Sequence, residues 1–215
     1  MTQIMLERRM TLAECNKIWN ADFISLREMA YFRGIYVTRF RPDELINCDA
    51  TDLDRGNRLL TARKVKRRRI RGRDGKFRTI QPPPKTRRLD DTTYAQFCKL
   101  ISKRKTGPIF ITRTDKRCHI RHFQRAIMQY AKILGIQKVR YITDGGKVYY
   151  LVSLTGLREA GERHEVLGGG SESIAAKCSN HTRKIQSKHY MGVDTEEIVM
   201  QQERHHPFFK ETKKK

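Results

Sequence analysis

Residues 155–190 read TGLREAGERHEVLGGGSESIAAKCSNHTRKIQSKHY. Within this stretch Arg158 is followed 23 positions later by His181, and His181 nine positions later by Tyr190. A guanidinium that grips phosphate, an imidazole that orients or carries a proton and a phenol that attacks phosphorus are the groups a metal-free phosphodiester cleavage needs. Such a site also needs further cations and a fold that gathers them, and both must come from the rest of the chain.

The 215 residues fit one domain with short appendages, and 38% hydrophobic residues suffice for a core. Lys and Arg number 46 against 23 Asp and Glu, a formal charge of +23. That excess is the footprint of a nucleic-acid binder, because cationic side chains displace the counterions condensed on phosphates. Charge alone fits a structural RNA-binding protein equally well. The five cysteines, Cys15, Cys48, Cys98, Cys118 and Cys178, are scattered without a C-x-x-C pair, which supports neither a disulfide framework nor a zinc ribbon and suits a reducing compartment. No apolar run approaches the roughly 20 residues of a membrane span. A soluble, intracellular (cytoplasmic) protein associated with nucleic acid is expected.

In chain order, Thr11 and Glu14 form a capping box that opens a helix. A second helix over 22–37 is expected to bury one face through Phe23, Leu26, Ala30, Ile35 and Tyr36. Pro42 suits a first helical position, and Asp43 and Glu44 favour the positive end of the dipole, so Arg41 stands at the mouth of a short helix. Residues 58–81 read as two very basic strands around Asp74-Gly75, a ribbon suited to lie along nucleic acid. Asp90 and Asp91 cap a helix whose Tyr94, Phe97, Leu100 and Ile101 share a face. A short strand and turn then precede a helix with Ile120, Phe123, Ile127, Tyr130 and Leu134 inward, ending at Gly135. Residues 139–152 form a second hairpin around Asp144-Gly145-Gly146.

Several segments resemble the tyrosine recombinases, the phage integrases and Xer-type enzymes. Arg41, Glu44, Leu45, Asp52, Leu53 and Asp54 match that family's first conserved box without a gap. KTRR at 85–88 is similar to the segment that carries the family's mobile lysine, which makes Lys85 the candidate, with Lys64 and Lys66 as rivals. Arg158, His181 and Tyr190 fall at the distances of the second box and nucleophile, and KHYMGVD resembles the nucleophile segment. Two positions depart: Thr155 stands where the box has its first histidine, and Asn180 stands where a glycine precedes the second. A rival alignment pins REAG at 158–161 to a helix end, places the second box near Lys147–Tyr150 and puts Gly169 or Gly170 at the histidine. His164 reads as a satisfied helix histidine.

The resemblance implies an α+β fold, a mainly helical catalytic domain over 11–200 with a small antiparallel sheet. Residues 1–10 are then a lead-in; after Tyr190 the segment DTEEIVMQQERHHPFF reads as a helix that docks on a neighbouring protomer and frays into KETKKK, within a basic tail over 201–215 expected to be disordered. It implies a site-specific recombinase that cleaves and rejoins double-stranded DNA through a 3′-phosphotyrosyl link, without cofactor or metal, as a homotetramer on paired sites. Arg41 and Arg158 clamp the phosphate, Tyr190 attacks, Lys85 protonates the leaving 5′-oxygen and His181 assists. A type IB topoisomerase-like nicking and closing enzyme and a noncatalytic nucleic-acid-binding protein are the alternatives.

Overall fold

The computed structural model of the chain describes residues 10–71, 76–171 and 202–211. Its helices are α1 (Leu12–Trp19), α2 (Leu26–Thr38), α3 (Pro42–Ile46), α4 (Asp91–Ile101), α5 (Ile120–Ile133), α6 (Leu154–Leu167) and α7 (Pro207–Glu211). The strands are β1 (Leu53–Asp54), β2 (Leu59–Ala62), β3 (Arg68–Arg71), β4 (Phe77–Ile80), β5 (Lys85–Arg88), β6 (Val139–Ile142) and β7 (Val148–Tyr150). This is the mainly helical α+β fold with small antiparallel sheets that the sequence leads one to expect. No helix among the described residues is long and apolar enough to cross a membrane.

The Thr11–Glu14 capping box is present in both directions, with Thr11 N–H donating to Glu14 Oε2 at 2.9 Å and Glu14 N–H to Thr11 Oγ1 at 3.1 Å. The second helix departs from the one-faced reading. It begins after Ser25, whose hydroxyl accepts the Glu28 N–H, so Phe23 lies outside it; Phe23 and Leu26 are 47% and 41% exposed. From Met29 to Thr38 only Arg33 is not buried, because α3, α4, α5 and α6 all pack on α2. A helix enclosed on every side carries apolar residues all round and loses the period of a surface helix. Its closest neighbour is α6: a Cβ on Gly161 would stand 2.0 Å from the Tyr36 carbonyl oxygen, so the two backbones touch where only glycine fits.

Residues 58–81 do not make a single hairpin. β2 pairs antiparallel with β1 and with β5, Leu60 opposite Arg87 and Ala62 opposite Lys85, while β3 and β4 pair only with each other. The reason lies in burial. Leu60 and Ala62 alternate inward on β2, and Lys85 and Arg87 alternate inward on β5, so these distant strands share a covered face. β4 is exposed at every position and forms one strand of a basic ribbon inserted between them. The KTRR segment is thus a strand of the sheet.

Asp90 caps α4, its carboxylate accepting the Thr93 N–H, and Phe97 and Ile101 face the core with Tyr94 and Leu100 packed at its margin. α5 buries Phe123 and Ile127 and ends at Gly135, at φ +65°. The β6–β7 hairpin turns at Gly146, φ +74°, and leads into α6, capped by Ser153. At the C-terminus the structure differs from the expected disordered tail. Residues 202–205 are helical and α7 follows. Gln202 donates to the carbonyls of Val37 (2.8 Å) and Arg88 (3.1 Å), and Phe208 is 7% exposed against Trp19 and Tyr36. Two apolar aromatics and a hydrogen-bonding amide outweigh the basic composition of the segment.

Candidate active site

The end of α2 and the start of α3 build the first wall. α2 closes on Arg39 in a left-handed conformation (φ 57°, ψ 20°), and two residues later Arg41 takes the N-cap position of α3. Glu44, one turn into α3, accepts the Arg41 N–H through Oε2 at 2.9 Å. The same carboxylate receives Lys85 from the sheet, Nζ lying 2.7 Å from Oε1 and 2.6 Å from Oε2. Glu44 and Lys85 are both buried.

The second wall is α6. Arg158, on its second turn, is 7% exposed, and its Nε donates to the Arg39 carbonyl at 2.8 Å. Its Nη2 is buried and has no hydrogen-bond partner among the described residues. An orphaned buried donor costs about 1–3 kcal/mol, which an acceptor anion bound there would recover. Arg41 and Glu44 lie close enough to act electrostatically on Lys85 and Arg158. Burial pushes Lys85 down to about 8; Glu44 opposes this, and Arg158 and Arg41 add to it. Burial, and then the charge of Arg41, lower Arg158 as well, though a guanidinium stays charged throughout the neutral range.

The α2–α3 junction, the sheet and α6 therefore bring Arg41, Lys85 and Arg158 to one place. Lys64 and Lys66 are placed differently. They are exposed on the loop after β2 and line, with Arg41, Glu44, Asn47 and Arg67, a cleft of about 650 Å³. Gln81 ties this loop down by donating to the Val65 carbonyl at 2.9 Å. Thr155 is exposed on the first turn of α6, one turn before Arg158. His164 is buried and fully engaged, with Nδ1 2.8 Å from the Tyr36 hydroxyl and Nε2 3.1 Å from the Met10 carbonyl, and burial lowers its pKa. Asn180, His181 and Tyr190 lie outside the described residues.

Two participants escape a reading of the sequence. Glu44 reads there only as a dipole partner and a motif match, although three residues into α3 it is placed to accept the N-cap N–H. The fully buried ion pair of Arg39 with Glu165 has no signal in the sequence, since 126 positions separate the partners.

No protein-family model matches the chain, and no curated protein sequence does. Solved structures do resemble it. The integrase from mycobacterium phage Brujita superposes with a TM-score of 0.64 at 13% identity, over 94% of this chain and 58% of that one. The XerA recombinase gives 0.57 at 17% identity, over 89% and 61%. The Tn1549 transposon integrase, in complex with a circular intermediate DNA, gives 0.59 at 13% identity, over 92% and 65%. The chain thus spans about three-fifths of the length of the structures it resembles. With its helices around α2, its small antiparallel sheets and its agreement with these integrases over most of its length, the chain has the fold of a tyrosine recombinase catalytic domain.

Proposed function

We propose that this chain is the catalytic part of a site-specific DNA recombinase that cleaves and rejoins double-stranded DNA through a 3′-phosphotyrosyl intermediate. The observation that carries the reading is the convergence of Arg41, Lys85 and Arg158 around one carboxylate, with the buried Arg158 Nη2 unpartnered among the described residues. Three cations collected from a helix cap, a strand and a second helix are a costly arrangement for a core and a fitting one for a phosphate.

In the proposed reaction Arg41 and Arg158 hold the non-bridging oxygens of the scissile phosphate and neutralise the charge that grows on them in the pentavalent transition state. The Tyr190 phenol oxygen forms a bond to phosphorus as the bond from phosphorus to the 5′-oxygen breaks. Its proton leaves with help from His181. Lys85, mostly protonated at neutral pH with its pKa near 8, gives a proton to the departing 5′-oxygen. To do so it exchanges Glu44 for that oxygen. Attack by a 5′-hydroxyl on the phosphotyrosine runs the same steps backwards, so the bond is conserved and no cofactor enters the balance. The integrase neighbours captured with DNA support duplex DNA as the partner, and homotetramer assembly on paired sites through the C-terminal segment belongs to the same proposal.

The test is covalent trapping. Duplexes selected from a random library for binding are remade with a nick beside each candidate scissile position and incubated with wild type or Tyr190→Phe. A denaturing gel and mass spectrometry of the linked peptide should place the adduct on Tyr190 and find none in the variant. Tight binding without any adduct refutes the cleavage chemistry, and an adduct on another tyrosine refutes the assignment of the nucleophile.

A further inference from the structure

Arg39 and Glu165 are each 0% exposed, and their side chains meet as an ion pair inside the protein. Arg39 has the left-handed backbone that favours glycine, so its surroundings must hold it there. Its guanidinium is held by Glu165, in the last turn of α6, while its carbonyl accepts the Arg158 Nε–H from the second turn of the same helix. One residue farther on, the chain reaches Phe40 and then Arg41. Arg39 is therefore the point through which the two phosphate-clamp arginines are connected.

A buried ion pair is a poor device for stability alone, because desolvation offsets the attraction and apolar residues of equal volume often serve as well. It is a directional device, fixing two elements at one distance and one angle. We propose that the Arg39–Glu165 pair is a positioning element of the phosphate site: it locks the end of α2 to α6, holds the Arg39 carbonyl on Arg158 Nε and so sets the spacing between Arg41 and Arg158. This rests on the reading of those two arginines as the phosphate clamp. Arg39 is itself shut off from solvent and acts through Arg158. Arg87 and His205 also face the Glu165 charge, from β5 and from the C-terminal helical segment.

The test compares wild type with Arg39→Lys, which keeps the charge pair, and with the double variant Arg39→Met/Glu165→Leu, which fills the same space without it. Single-turnover adduct formation at saturating DNA should fall about 100-fold in the double variant, the scale expected when reacting groups are misplaced by about 1 Å. DNA affinity and melting temperature should stay near those of wild type, and Arg39→Lys should recover most of the rate. A double variant that cleaves like wild type overturns the proposal. A second readout needs no activity. The Arg158 Nε–H resonance, identified by its loss in Arg158→Lys, should exchange slowly with solvent in wild type and rapidly in the double variant; unchanged protection overturns the proposal. Should wild type form no adduct, the recombinase reading falls and the exchange measurement still decides the positioning role. If the double variant does not fold, Glu165→Gln, which keeps the shape and one hydrogen bond, carries both measurements.

Discussion

In the proposed mechanism Glu44 tunes the proton that Lys85 delivers, and Glu44→Gln tests it. The glutamine oxygen can still accept the Arg41 N–H, so the cap of α3 survives while the negative charge is lost. The ammonium lies 2.6 and 2.7 Å from the two carboxylate oxygens. At that separation Coulomb attraction runs from about 1.5 kcal/mol at the dielectric of water to about 6 kcal/mol at an effective value of about 20. With about 1.4 kcal/mol per pKa unit, removing the charge lowers the Lys85 pKa by at least about one unit, since burial, Arg158 and Arg41 all continue to push it down. A reaction that needs protonated Lys85 slows above pH about 8 in wild type and above about 7 in the variant. The ratio of wild-type to variant rate should grow from near one at pH 6 to about tenfold above pH 8.5. The assay is single-turnover cleavage of a suicide duplex across this range, repeated with sulfur in place of the 5′-bridging oxygen. A thiolate leaves without a proton, so the alkaline decline should vanish with that substrate in both proteins. A decline at the same pH in both proteins, or one that persists with sulfur, refutes the assignment of Lys85 as the acid and of Glu44 as its tuner.

Other perturbations address the fold and the proposed DNA surface. Phe208→Ala removes a ring packed on Trp19 and Tyr36 beneath the Arg33 guanidinium, 4.1 Å above its centroid; equilibrium urea unfolding should show a loss of about 3–4 kcal/mol, and a change near zero would mean that the C-terminal segment does not dock. Gly161→Ala drives a methyl group into the Tyr36 carbonyl and should destabilise by at least about 2 kcal/mol, read as a lowered melting temperature. Replacing the exposed Lys64, Lys66 and Arg67 of the cleft by glutamine should flatten the dependence of log affinity on log salt by up to about 2.7, at about 0.9 for each phosphate no longer neutralised; an unchanged slope would place the DNA elsewhere.

What the sequence could reveal followed from local chemistry. The Thr11–Glu14 box, the Pro42 helix start, the Asp90 cap and the Gly135 and Gly146 turns are each decided by a side chain and its near neighbours, and each is where the sequence leads one to expect it. Arg41, Lys85 and Arg158 stand out by motif resemblance, which marks residue types at a spacing and is blind to what surrounds them. The misreadings share the opposite character. α2 lost its amphipathic face because neighbours enclose it, and β2 found its partner in β5 beyond an inserted ribbon. The C-terminal residues docked because Trp19, Tyr36 and the Val37 carbonyl wait for them on distant elements.

The sequence by itself determined the charge, the helix starts and the candidate chemistry, since these depend on residue identity and on positions a few apart. Tertiary structure alone decided that Lys85 shares the buried carboxylate of Glu44 while Lys64 and Lys66 stay in an open cleft, and that Arg39 and Glu165 pair across 126 positions. Burial and electrostatic coupling belong to distances in space, and a pKa or an ion pair has no value until the chain has brought its groups together.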